Sequence, residues 1–259
     1  MKQPTIINVV AASVGLLLLV PAVSHAQQAV SGSDLVKAQC AACHSTPGKT
    51  DLLGNSLGTA YAPELSGNAY VGLGTWSIMD IVDFLKNGGN RHSVASGMMA
   101  GIVTETTQAM SDQQLTAIAT YLKSLPGSGK TKPAPIAASN PAMTRGKQVF
   151  DTNCTACHTS KGTGVPAMVS ALDTPAIRAP QATNLIRTVL QGGTGAVTQA
   201  DPTGAGMPSF DWKLGDSDIA AVLTYIRNAF GNAAAAVQPA DVASMRKDLG
   251  AKAALTMDH

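Results

Sequence analysis

Aromatic residues make up only 4% of the 259-residue chain and charged residues only 13%. A core so poor in rings must draw its bulk from aliphatic side chains or from a bound apolar group. The formal net charge is +2, or +1 once Lys2 is lost with a leader, and no basic stripe is present. A nucleic-acid partner would require one. No Gly-rich phosphate loop precedes a helix, no Gly-x-Ser-x-Gly elbow occurs, and no cysteine lies outside one repeated pattern. These absences remove the P-loop, serine-hydrolase and free-thiol nucleophile classes. Beyond Pro21, no apolar run is long enough to span a bilayer.

What the chain does contain is one pentapeptide written twice, Cys40-Ala41-Ala42-Cys43-His44 and Cys154-Thr155-Ala156-Cys157-His158. This Cys-x-x-Cys-His spacing is that of covalent c-type haem attachment. Two thiols about one helical turn apart can each add to a vinyl group of the same porphyrin. The adjoining histidine then ligates the iron from the proximal side. The two copies use every cysteine in the chain, and they predict two covalently attached haem c groups.

The N-terminus reads as a secretory leader. Lys2 supplies a positive start, Ile6 to Val20 is apolar apart from Asn8 and Ser13, and Ser24-His25-Ala26 fits a cleavage site. Residues 1–26 are therefore expected to be removed and the protein to be periplasmic. An uncleaved anchor is the alternative. Export also permits disulfides, but a disulfide framework explains neither the two-residue spacing nor the histidine after each second cysteine.

The sequence divides into two related halves. Ser31, Ser33 or Asp34 can cap a helix running into Cys40. Residues 45–75 read as a loop, Trp76 to Lys86 as a helix stopped by Asn87-Gly88-Gly89-Asn90, and Arg91 to Met110 as a second loop. Ser111-Asp112-Gln113-Gln114 is a capping box. The helix after it ends at Pro126. A Pro/Gly/Ser/Ala linker follows over 127–142. The second half repeats the order: a helix into Cys154, a loop with Pro166, a helix over Ala182–Leu190 stopped by Gly192-Gly193, a loop carrying Met207, and a helix ending near Gly231. Gly32 aligns with Gly146 at an offset of 114, and Tyr121 with Tyr225 at an offset of 104. This is an internal duplication. It gives domains at 27–126 and 143–231, with a tail at 232–259 that holds a short helix. Two copies are too few for a solenoid.

Each iron needs a sixth ligand or an open position. Of the five histidines, His25 leaves with the leader, and His44 and His158 are proximal. Only His92 and His259 remain, so two bis-histidine centres are not expected. A methionine thioether is the natural alternative, stabilising ferrous iron. In the second half that residue is Met207; Met168 lies close after His158 and reads as packing. In the first half Met98, Met99 and Met110 all lie in the right region. The proximal imidazoles need carbonyl acceptors for their second nitrogen, and Pro63 and Pro166 mark candidate turns.

The chain resembles a tandem pair of class I cytochrome c domains, and within that group the cytochrome c subunits of bacterial alcohol, gluconate or aldehyde dehydrogenases. The resemblance is carried by Asn90 to Ala100, Ala117 to Pro126, Leu190 to Thr194 and Met207 to Trp212. It implies an all-α fold, each domain being a small helical bundle around a covalent haem. It places the first-half ligand at Met99, because the corresponding segment usually reads Ser-Gly-Pro-Met. The implied metal ligands are His44, Met99, His158 and Met207, with Cys40, Cys43, Cys154 and Cys157 holding the porphyrins. The implied role is electron transfer rather than catalysis. A periplasmic dehydrogenase would be the donor and another cytochrome or a terminal oxidase the acceptor, with membrane association through a complex. The chain has two haem motifs where those subunits typically have three, and the membrane-binding segment expected at their C-terminus is not seen. The competing class is a dihaem peroxidase with one open distal position.

Overall fold

The computed structural model describes residues 31–256, and only the backbone of the last six; the predicted leader, His25 and His259 lie outside the described residues. The described chain is all-α, with strands only as two-residue pairs. In the first half, α1 (Gly32–Gln39) is capped by the Ser31 hydroxyl, which accepts from the Asp34 N–H. It runs into the single turn α2 (Ala41–His44). An irregular stretch follows, containing the antiparallel pair β1 (Asn55–Ser56) and β2 (Tyr61–Ala62). Helix α3 (Ile78–Asn87) starts at a capping box between Ser77 and Asp80 and stops at Gly88, in the left-handed region. That cap leaves Trp76 outside the helix, one turn-start later than the apolar spacing suggests.

The stretch 91–110, expected as a loop, contains a helix, α4 (Met98–Glu105). It is two turns long, carries Gly101 and Thr104, and has no side-chain cap, so local sequence does not announce it. It stands because Ala100 and Val103 pack with Ala95 and with Ala196 from the second half. Helix α5 (Asp112–Ser124) begins at the capping box of Ser111 and Gln114, both of whose bonds form.

The second half opens with α6 (Pro141–Asn153), capped by Asn140, inside the stretch read as linker. Then come α7 (Thr155–His158), the one-turn α8 (Pro175–Arg178), α9 (Thr183–Gln191), β3 (Gly193–Thr194) paired with β4 (Gly206–Met207), and α10 (Asp216–Ile226). Helix α8 was not foreseen; its Ile177 carbonyl and that of Ala179 just beyond it accept from the buried Arg227 guanidinium. The tail is not a short helix but α11 (Pro239–Thr256). Its Val242, Met245 and Leu249 recur at helical spacing and enter the second core.

Each half has its own aliphatic core. Leu35, Val36, Ile81, Leu115, Ile118 and Leu122 form the first, and Phe150, Leu190, Ile219, Val222 and Leu223 anchor the second. In both, the first and last helices cross at a glycine. A Cβ on Gly32 would stand 2.0 Å from the Ala117 carbonyl oxygen, and one on Gly146 2.1 Å from that of Ala221. The two halves are also bonded to one another. The Asn184 amide spans the Tyr61 backbone, accepting from its N–H at 2.9 Å and donating to its carbonyl at 2.7 Å. Arg187 reaches Thr59, the Tyr70 hydroxyl meets the Ala233 backbone, and the Val197 N–H meets Thr104 Oγ1 at 3.0 Å.

Gly146→Ala tests the crossing. Helix propensity alone would make it stabilising by about 1 kcal/mol. The backbone clash reverses the sign, and a net loss of about 2 kcal/mol is expected in denaturant unfolding.

Candidate haem sites

The two cysteine motifs adopt the same local structure. Cys40 ends α1 and begins α2 with φ −114° and ψ −36°; Cys154 ends α6 and begins α7 with φ −115° and ψ −26°. The His44 N–H donates to the Cys40 carbonyl at 2.9 Å, and His158 does the same to Cys154. This break in the helix turns both thiols and the imidazole of a motif out of one short turn. Cys40 and Cys154 are half-buried against the two cores, while Cys43 and Cys157 are exposed. Burial, then the neighbouring cysteine, pushes the thiols of Cys40 and Cys154 up to about 11. A dithiol redox site needs the opposite, a thiolate at neutral pH. All four cysteines are free of disulfides.

Burial also holds both histidines below the usual imidazole range, against the opposing pull of a carbonyl bond. His44 Nδ1 lies 2.6 Å from the Pro63 carbonyl oxygen. A carbonyl only accepts, so Nδ1 carries the proton and Nε2 keeps its lone pair for a metal. Pro63 is thus the acceptor the sequence suggested. For His158 the acceptor is Ser170, whose carbonyl oxygen lies 3.1 Å from Nδ1, and not Pro166. Pro166 is exposed in a tight turn closed by Val165 and Val169, with Ala167 at φ +59°. The loop after the second motif is shorter than that after the first, so the carbonyl of the same geometry comes from a different residue.

The methionines separate by environment. Met98 is 58% exposed, while Met99 is half-buried and packs on both the first core and the Ala95–Ala196 cluster. Met110 also packs on the first core, its carbonyl accepting from Lys86 Nζ. Met207 sits in β4 opposite Gly193 and packs on the second core. Met168, read as packing, is exposed on its turn, and Met245 lies in the core on α11. His92 is engaged elsewhere: it stacks on Trp76 with ring centroids 5.3 Å apart and accepts from Arg91 Nε at 3.1 Å. Its neighbour Asp80, 3.5 Å away, is buried, which raises a carboxyl; the N–H and hydroxyl of Ser77 and the Arg91 guanidinium outweigh that and hold it below the usual range.

In each half, then, one cysteine and a half-buried thioether pack on the same small core, and the motif that carries that cysteine also carries a second thiol and an imidazole oriented by a carbonyl. That donor set fits a covalently held iron porphyrin. Sequence reading did not find Ser170 or Gly192. Gly192 at φ +75° approaches the Met207 strand so closely that a Cβ would stand 2.4 Å from the Met207 carbonyl oxygen. Its only signal was a helix-stopping Gly-Gly pair.

The profile of the family described as Cytochrome c matches residues 29–126 and 143–230. The chain is 35% identical over 237 residues to the gluconate 2-dehydrogenase cytochrome c subunit of Pantoea cypripedii, covering 81% of this chain and 53% of that protein. It is 33% identical over 250 residues to the cytochrome c subunit of the quinone alcohol dehydrogenase of Gluconobacter oxydans, covering 87% and 52%. The fructose dehydrogenase cytochrome subunit of Gluconobacter japonicus is 28% identical over 247 residues, covering 81% and 50%. The chain spans about half the length of these relatives.

Gly192→Ala is expected to cost about 2 kcal/mol, because it adds positive-φ strain to a backbone clash. Gly193→Ala, whose Cβ would meet only Thr188 Cγ2 at 3.9 Å, is the near-neutral control in the same thermal melts.

Proposed function

The chain belongs to the cytochrome c family, and from that premise we propose that it is an exported dihaem electron carrier working beside a dehydrogenase. It carries two covalently attached haem c groups, one in each helical half. Each haem, when bound, supplies a one-electron ferric–ferrous couple. The proposed donor is a periplasmic dehydrogenase, since the relatives are cytochrome subunits of such complexes by name; the acceptor is another cytochrome or a terminal oxidase. The reading keeps a leader cleaved after Ala26, domains at 27–126 and 143–231 around the linker 127–142, a tail at 232–259, and membrane association through a complex.

The residues divide the work simply. Cys40, Cys43, Cys154 and Cys157 tether. His44 and His158 present Nε2, each held by a carbonyl that fixes ring orientation. Met99 and Met207 are half-buried thioethers on the two cores and would serve as the further iron ligands, which would favour the reduced state. The observation that carries the reading is geometric and occurs twice: a cysteine half-buried against a core ends a helix, the histidine four residues on turns Nδ1 to a backbone carbonyl, and a half-buried methionine packs on the same core.

Optical titration with carbon monoxide tests it. The reduced wild-type protein should not bind carbon monoxide at either centre. Met99→Ala should open one centre and lower its potential by about 0.1 V, a fraction of the roughly 0.8 V that axial ligands span. Met98→Ala should do neither. A wild-type centre that binds carbon monoxide readily would favour the peroxidase class instead.

Replacing Cys154 and Cys157 together by serine should remove one haem mass from the intact protein in mass spectrometry. The first haem and its potential should remain.

A further inference from the structure

The loop on the proximal side of the second half is bonded to the first half at Ala167, Ser170 and Ala171, and of these only Ser170 uses a side chain. The Ser170 carbonyl oxygen takes His158 Nδ1 at 3.1 Å, and the Ser170 hydroxyl accepts from the Val94 N–H at 2.9 Å. The next residue repeats the connection, the Ala171 N–H donating to the His92 carbonyl at 3.0 Å. Val94 belongs to the segment that leads into α4 and Met99. Its neighbour Ala95 is 1% exposed and packs with Ala100, Val103 and the second half's Ala196. The first half has no equivalent. His44 is oriented by Pro63, which has neither a hydroxyl nor an N–H to offer.

We propose that Ser170 is a positioning residue that couples the two haem centres, so that electrons pass between the halves along the chain from His158 through Ser170 to Val94 and the Met99 segment. The inference rests on the dihaem carrier reading above. One electron moves from the reduced half to the oxidised half; no bond is made or broken and no proton is transferred. Coupling between sites is carried by contiguous bonded and packed groups, and outer-shell partners of a ligating histidine are known to matter strongly to the metal they support. Serine is required because the two roles use different atoms. The carbonyl, common to every residue, orients the imidazole. The hydroxyl holds the other half at Val94, beside the backbone bonds that Ala167 and Ala171 make to Asn90 and His92. Alanine at this position keeps the first role, deletes the second, and leaves the Val94 amide without its partner.

The test uses the full holoprotein. In Ser170→Ala, amide hydrogen exchange at Val94 should speed up while the optical spectra of both centres stay as in wild type. After rapid photoreduction of one centre, transfer to the other should be slower than in wild type, although the His158–carbonyl bond is kept. Ser170→Thr should restore the rate. Asn184→Ala breaks the contact with Tyr61 on the other side of the interface, and it should leave the rate unchanged. Wild-type transfer in Ser170→Ala overturns the proposal, as does unaltered Val94 exchange. Equal slowing in Asn184→Ala overturns it too, because Ser170 would then serve only to dock the halves. An equilibrium titration separates the two readings: if both centres reduce reversibly in every variant, the carrier reading stands whatever the rates show. A wild-type centre that does not cycle ends both.

Discussion

Everything in each half depends on one close helix crossing. The first helix meets the last where Gly32 faces the Ala117 carbonyl and where Gly146 faces that of Ala221, with no room for a side chain. Because α1 and α6 end at the first cysteine of each motif, the crossing point decides where the thiols and the imidazole stand relative to the core. A longer side chain would lift the helix and move the whole motif with it. Tyr121 and Tyr225 flank the same crossings, and Phe150, Tyr225 and Phe230 form one aromatic group in the second half with centroids 5.3–5.8 Å apart. Four of the ten rings in the chain are thus gathered at or beside these crossings.

The second constraint is the seam between the halves. Gly88 and Gly89, which end α3, also let Ala196 and Ala167 approach to within 2.8 and 3.0 Å of where a Cβ would be. The bonds of Ser170 and Ala171 fall on the loop whose carbonyl orients His158, whereas those of Asn184 and Arg187 join α9 to Tyr61 and Thr59. The linker is tied down as well. Lys130 Nζ pairs at 2.8 Å with Glu64, a carboxylate whose side chain is 3% exposed, next to the Pro63 that orients His44. A protein that passes electrons internally gains from such fixation, because the separation of its two centres does not fluctuate with domain motion.

Much of this was legible in the sequence. The haem motifs, the capping box at Ser111, the Gly-Gly stops and the Pro63 acceptor all rest on local rules that need only a few neighbouring residues. What was missed required distant partners. Helix α4 stands on Ala196, α8 on the Arg227 guanidinium, and α11 on the second core. The Pro166 expectation failed because it carried one loop's geometry onto a shorter loop, where Ser170 supplies the carbonyl instead.

The sequence by itself determined the two cysteine–histidine motifs, from which the tethering thiols and ligating histidines are proposed, and that the chain is a duplication. Those follow from spacing along a helix, which is a property of a few consecutive residues. Only the tertiary structure decided that Met98 points outward while Met99 packs inward, that His92 is held by Trp76 and Arg91, and that the two halves are sealed through Ser170. Side-chain exposure and contacts between halves depend on how separate elements pack. A linear pattern does not encode that, because each contact is settled by residues tens of positions away.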